Sequence, residues 1–328
     1  MVTIIAEAAQ GFEGDPTLAR MLVRSAAAGG ADMVKFQLVF ADELATRDYP
    51  YWGLFKQLEM SPAAWRGVAD EAGARNLGLV FDVYGRESLA LALDLGARTV
   101  KLHSTDFFND PLVDAAASHA DAVLFSIGGF ALDEVTAFIA RREGAAKKLT
   151  LMYGFQAEPT PTSANNLLRL ARLREQFPSI GLGFMDHADG DADEAGWLGL
   201  LALPLGVTVL EKHITLERSL KLEDYVSALD AAGFARYVAR VRKAEEALGR
   251  GEIVLTDDER SYRRRAVKVV VSARPIAAGV AITPADIVLQ RAPLDGARAP
   301  LERADAVVGR AVRRPVAAGA PLYADDLA

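Results

Sequence analysis

The stretch GVTVLEKHITL, residues 206–216, carries the side chains best suited to chemistry. Val207, Thr208, Val209 and Leu210 form an apolar, β-branched run that predicts a buried strand. That strand delivers Glu211, Lys212 and His213 at its carboxyl end. Side chains alternate along a strand, so Glu211 and His213 face one way and Lys212 the other. GLGFMDHADG at 181–190 repeats the arrangement upstream, a short apolar run followed by Asp186 and His187. Histidines at one level on consecutive strands, His187 and His213, make a candidate metal site. A single strand-end histidine is more often a hydrogen-bonded rim residue, and His103 and His119 are read that way.

Other strand ends offer Glu7, Lys35 with Gln37, Asp82, Lys101 with His103 and Ser104, Ser126, and Gln156. The lysines stand out because strand interiors are normally branched aliphatic and a buried ammonium must be paired. Taken alone, Lys35 or Lys101 fits a salt-bridged structural lysine or the Schiff-base lysine of an aldolase. Together with the serine hydroxyls they suit a bound phosphate or carboxylate. SIGG at 126–129 opens towards a helix and adds backbone N–H groups of the kind that hold phosphate. Gly128 and Gly129 by themselves are a strand-to-helix turn. The aromatics at 49–55 fit a barrel cap as well as a substrate contact.

The elements that must position these residues repeat a simple rhythm. Strands are expected at 2–8, 31–39, 77–83, 98–103, 121–126, 148–153, 180–185 and 206–212. Helices are expected at 16–28, 62–76, 86–95, 111–119, 131–141, 163–176, 192–203 and 230–249, with a long loop at 40–61. Alternation of this kind implies parallel pairing and right-handed crossovers. Eight units in about 250 residues fit a (β/α)8 TIM barrel, whose active site lies at the carboxyl ends of the strands. No Gly-x-Gly-x-x-Gly fingerprint follows the first strand, which argues against a dinucleotide fold. Residues 250–265 are charged, lack apolar periodicity and read as a linker. Residues 266–328 change character to short strands punctuated by Gly and Pro. RPIAAGVAITPADI and RPVAAGAPLYADDL resemble one another, which predicts a small β-rich domain with an internal pseudo-repeat.

The 328 residues carry a net charge of −7, with 51% hydrophobic and 25% charged side chains. That balance fits a soluble globular protein and disfavours non-specific nucleic-acid binding. Cysteine is absent, so disulfides, thiol catalysis and thiolate metal sites are excluded. There is no signal-peptide pattern and no run of about 18 apolar residues, so no membrane span and a cytoplasmic location are expected.

Several phrases, in order, resemble the bacterial sialic acid synthase family, which includes the N-acetylneuraminate, legionaminic and pseudaminic acid synthases and the spore-coat polysaccharide homologue. They are IIAEA, ADMVKFQ, VKLHSTDFFNDPLV, FSIGGF, FMDHADG, VTVLEKHITLER and ALDAAGFARYVARVRKAEEALG. The C-terminal segment is similar to the antifreeze-like, or SAF, domain that ends these enzymes. The resemblance implies condensation of phosphoenolpyruvate with an N-acyl amino-hexose acceptor, giving a nine-carbon 2-keto-3-deoxy sugar acid and phosphate. It implies that His187 and His213 hold Mn²⁺ or Mg²⁺, and that Lys35, Lys101, Ser104 and Ser126 hold phosphoenolpyruvate. Gln37, Glu211 and Asp224 would contact the sugar, and Glu7 or Glu211 would manage protons. Arg291 matches an arginine inserted into the partner's site, which implies a domain-swapped homodimer. The sequence departs from the family at Gly11-Phe12-Glu13-Gly14, Asp82, Met185, Glu158-Pro159 and Arg291-Ala292-Pro293. Those departures keep two alternatives open, a Schiff-base aldolase on Lys101 or Lys35 and a non-catalytic sugar-binding relative.

Overall fold

A computed structural model of the chain describes residues 1–142, 144, 148–154 and 157–328. The chain divides into two compact units, Met1–Gly249 and Arg250–Ala328. The first is a closed barrel of eight parallel strands in sequence order. They are β1 (Thr3–Ala9), β2 (Met33–Leu38), β3 (Gly78–Val83), β4 (Thr99–Leu102), β5 (Ala122–Ser126), β6 (Leu149–Tyr153), β7 (Gly181–Asp186) and β8 (Val209–His213). β8 pairs back onto β1, which closes the ring.

The helices follow from spacing and caps. In Pro16–Ala28 the buried residues Ala19, Leu22, Val23 and Ala26 recur at helical intervals. Asp15 caps this helix through Thr17 N at 2.5 Å, and Pro16 occupies the first turn, where its missing N–H costs little. Two expectations change. The helix expected over 192–203 is a pair of 3₁₀ segments, Asp193–Gly196 and Leu198–Leu205. LGLLALPL has no polar face and contains Pro204, which opposes an α-helical ladder. The helix expected over 163–176 splits into a 3₁₀ turn, Thr162–Ala164, and an α-helix, Leu168–Gln176. Asn166 lies between them at φ 41°. The long loop after β2 carries two short helices, Ala41–Leu44 and Trp52–Leu58.

Inside the barrel, Ile5, Val80, Leu124, Met152, Met185 and Val209 form an apolar plug. Gly183 permits it, because a Cβ there would overlap the Met152 sulfur. Two residues further along β1, β3 and β8 stand Glu7, Asp82 and Glu211, so a charged layer rests directly on the plug. Outward-facing Phe36 and Phe81 pack edge-to-face on Trp65, with centroids 5.7 and 5.2 Å apart. Lys212 also faces outward, and its Nζ donates to Asp186 Oδ1 and Ala188 O, each at 3.2 Å.

In the second unit β9 (Val269–Ser272) pairs antiparallel with β10 (Ile287–Gln290). The pseudo-repeat has a structural counterpart. Arg274 and Arg314 each clamp an aspartate twelve residues on, Asp286 and Asp326, at 2.5 Å. The second carboxylate oxygen accepts from Thr283 N in one copy and from Tyr323 N in the other, at 2.8 and 3.0 Å. Ile276 and Val316 bridge the copies, and Gly279 and Gly319 both turn at φ 79°. The stretch 250–265 contains most of a helix, Asp257–Ala266, which has no buried residue. A reciprocal cap between Thr256 and Glu259 starts it. Asp257, Asp258 and Glu259 in its first turn and Arg263, Arg264 and Arg265 in its last complement the helix dipole. Among the described residues, no helix is long and apolar enough to cross a membrane.

Candidate active site

Strand register brings the polar residues together. Glu7 lies beside Lys35 on one side and His213 on the other, and Asp82 lies between Gln37 and Lys101. β1 bulges just past Glu7, with Ala9 at φ 45°. Bulges of this kind re-aim side chains at barrel rims. The result is one cavity of about 340 Å³ at the carboxyl ends of the strands. Its walls include Glu7, Lys35, Gln37, Asp82, Lys101, His187, Glu211, His213 and Asp224, together with His103, Glu158 and Met185.

The floor is an ion network buried to within 3% exposure. Lys35 Nζ contacts Glu7 and lies 2.5 Å from Asp82 and 3.6 Å from Glu211. Lys101 Nζ lies 2.7 Å from Glu211 and 3.9 Å from Asp82. Three carboxyls therefore face two ammonium groups. Burial lifts the Glu7 carboxyl to about 8, with Lys35 pulling the other way and Glu211 adding to the rise. Burial also pushes Asp82 and Glu211 up, but Lys101 and Lys35 outweigh it and hold both below the ordinary value. Burial opposes charge on Lys35 as well, yet Asp82, Glu211 and Glu7 hold its ammonium well above the ordinary range.

The imidazoles stand on the adjoining wall. His187 and His213 are 8% and 6% exposed, and their rings lie 5.1 Å apart. Burial holds His187 down to about 4 and His213 well below its ordinary value, so both rings are neutral. His187 Nδ1 has no hydrogen-bond partner among the described residues. Glu158 Oε1 lies 3.5 Å from His213 Nε2. One ligand atom from each of Glu158, His187 and His213 falls within 4.8 Å of the others. A buried, unpartnered ring nitrogen beside a second neutral imidazole and a carboxyl fits a divalent cation. Burial and the neighbouring Asp224 push the Glu158 carboxyl up to about 9.

The remaining expected residues are placed as follows. Gln37 Oε1 accepts from Gln10 Nε2 at 2.7 Å. Asp224 sits in the left-handed region at φ 63°. Ser104 follows β4 and Ser126 ends β5, and neither lines the cavity. Gln156 lies outside the described residues. Arg291 belongs to the second unit, where its Nε donates to Ala266 O at 3.0 Å. His119 ends its helix with Nδ1 2.8 Å from Ala115 O, a structural histidine as read.

Two cavity residues do more than their sequence reading gives them, His103 being read as a rim histidine and Glu158 only as a departure from the family. His103 lines the cavity, and burial lowers it to about 4. The signal was available, since His103 follows Lys101 by two positions and shares its face. Glu158 comes from a loop, where no alternation points it inward.

The buried histidines set an acid limit. Their folded-state values lie below the unfolded value of about 6.5. Between pH 6.5 and about 4 the unfolded chain therefore binds protons that the folded chain refuses, and stability falls as pH drops. Each imidazole contributes about 1.4 kcal/mol per pH unit across that window. In chelator, urea unfolding of His103→Asn should lose about 2 kcal/mol less than the parent between pH 6.5 and 5.0. Equal losses would show that His103 protonates freely in the folded state.

Residues 22–253 match the NeuB family, and residues 267–328 match the SAF domain. The chain belongs to the NeuB family. Among its relatives, the N,N'-diacetyllegionaminic acid synthase of Legionella pneumophila is 28% identical over 307 residues, covering 88% of this chain and 85% of that protein. The N-acetylneuraminate-9-phosphate synthase of Homo sapiens is 28% identical over 295 residues, covering 85% and 80%. A solved structure described as spore coat polysaccharide biosynthesis protein E, from Chromobacterium violaceum, superimposes with a TM-score of 0.84 at 25% identity and covers 100% of both chains. The NeuB match spans most of the barrel, and the SAF match begins where the pseudo-repeat unit's strands begin.

Proposed function

We propose that the protein is a sialic-acid-type synthase that condenses phosphoenolpyruvate with the open-chain aldehyde of an amino-hexose. The enol carbon bonds to the aldehyde carbon, one water is consumed, and phosphate leaves from a nine-carbon 2-keto-3-deoxy sugar acid. One observation carries the reading: two buried lysines and two neutral imidazoles open onto a single barrel-end cavity in a chain of this family.

Lys35 and Lys101 take the donor's phosphate and carboxylate, which compete with Asp82 and Glu211 for the same ammonium groups. Ser104 and Ser126 support the donor from neighbouring strand ends. Bound at His187 and His213, a divalent cation such as Mn²⁺ or Mg²⁺ supplies Lewis-acid polarisation of the aldehyde oxygen. Glu7 holds a proton whose affinity, about 8, is close enough to neutrality for exchange during turnover. Glu211 stays ionised and fixes Lys101. Gln37 and Asp224 contact the sugar, and Arg291 completes the site across a domain-swapped homodimer. A Schiff-base route through Lys35 fits poorly, because three carboxyls keep that amine protonated.

A panel of amino-hexoses, acylated and free, offered with phosphoenolpyruvate and Mn²⁺ tests the proposal. At least one acceptor should give phosphate and sugar acid in equal amounts. Acceptor binding without turnover across the panel would instead support a non-catalytic sugar-binding protein.

A further inference from the structure

We propose that Glu158 is a third protein ligand of the divalent ion, which makes the site a two-histidine, one-carboxylate set that binds its metal before any sugar arrives. This inference rests on the metal reading above and deepens it.

The argument starts from how Glu158 is held. Its loop is tied to the loop that carries His187, because Thr160 N donates to His187 O at 2.9 Å. Ser227 Oγ donates to the same carbonyl at 3.0 Å, so the segment that carries Asp224 is tied there as well. The loops that carry Glu158 and His187 are therefore linked close to both side chains. Asp224 lies within hydrogen-bond reach of the Glu158 carboxyl, and a partner of that kind commonly orients a ligating side chain. Glu158 Oε1 stands 3.5 Å from His213 Nε2. Neighbouring ligands at about 2.1 Å from an octahedral ion are roughly 3 Å apart, against 3.5 Å for this pair and at most 4.8 Å across the three ligand atoms. His187 Nδ1, buried and unpartnered among the described residues, supplies the independent sign that something binds there.

The donor set has chemical consequences. With the Glu158 proton released on binding, two imidazoles and one carboxylate favour a first-row transition ion over Mg²⁺, which prefers oxygen ligands and retained water. Three protein ligands leave three positions of an octahedron, enough for an acceptor that chelates through two adjacent oxygens.

Titration of the full chain with Mn²⁺ alone, read by electron paramagnetic resonance, tests this without turnover. The parent should bind one ion per chain with three inner-sphere waters, and His213→Ala should lose it. Glu158→Gln, close to isosteric, should bind at least 10-fold more weakly and gain a fourth water, with an unchanged melting temperature in chelator. If Glu158→Gln matches the parent in affinity and water count while His213→Ala loses the ion, Glu158 is not a ligand and the two-imidazole site stands. If His213→Ala binds Mn²⁺ as well as the parent does, the metal reading itself fails and this inference falls with it.

Discussion

His213→Ala lowers phosphate release from phosphoenolpyruvate by about 10³-fold, while phosphoenolpyruvate binding changes by less than about threefold. The split follows from where His213 stands. It ends β8 beside Glu158 and His187, on the imidazole wall and not in the lysine floor. On the proposed reading its removal takes away a cation ligand, and Lewis-acid stabilisation of developing charge is worth several kcal/mol. On that same reading the donor's anionic groups meet Lys35 and Lys101, which the substitution leaves in place. Stopped-time phosphate assays for kcat and calorimetry for donor binding measure the two quantities separately. A rate within threefold of the parent would put the chemistry elsewhere in the chain.

Lys35→Met destabilises the barrel by about 3–5 kcal/mol, because it leaves buried carboxylates without their nearest cation. Lys35 touches all three of Glu7, Asp82 and Glu211, and none of the four is more than 3% exposed, so solvent compensates little. Lys35→Met combined with Asp82→Asn removes one charge of each sign and should recover most of that loss. Urea unfolding of the parent, the single variant and the double variant reads both effects. A double variant no more stable than the single one would mean that lost packing, not charge, causes the damage.

Much of this site is legible from alternation along strands. Glu211 and His213 share a face and Lys212 takes the other, where Asp186 and Ala188 receive it. Lys35 and Gln37 likewise reach the cavity from β2. The pairing of the lysines is not legible in the same way. It depends on β8 closing against β1, which gathers residues 7, 82 and 211 from distant parts of the chain. Asp82, one of the departures from the family, becomes intelligible only as the carboxylate 2.5 Å from Lys35. Glu158 hides for a different reason, since a loop residue carries no periodicity and its direction comes from the bond between Thr160 and His187. Residues 192–205 mislead because a uniformly apolar run looks helical until Pro204 is weighed. The SAF unit is the opposite case. Its repeated phrases reappear as two matching arginine–aspartate clamps.

The dependence of phosphate release on bound metal tests the central claim most directly, because the claim needs paired imidazoles and paired lysines to act on one reaction. Chain stripped by chelator and supplied with phosphoenolpyruvate and a productive acceptor should release phosphate only at background rate, and one equivalent of Mn²⁺ per chain should restore it. Full activity in excess chelator, with substrate trapped on Lys101 or Lys35 by borohydride, would contradict the account.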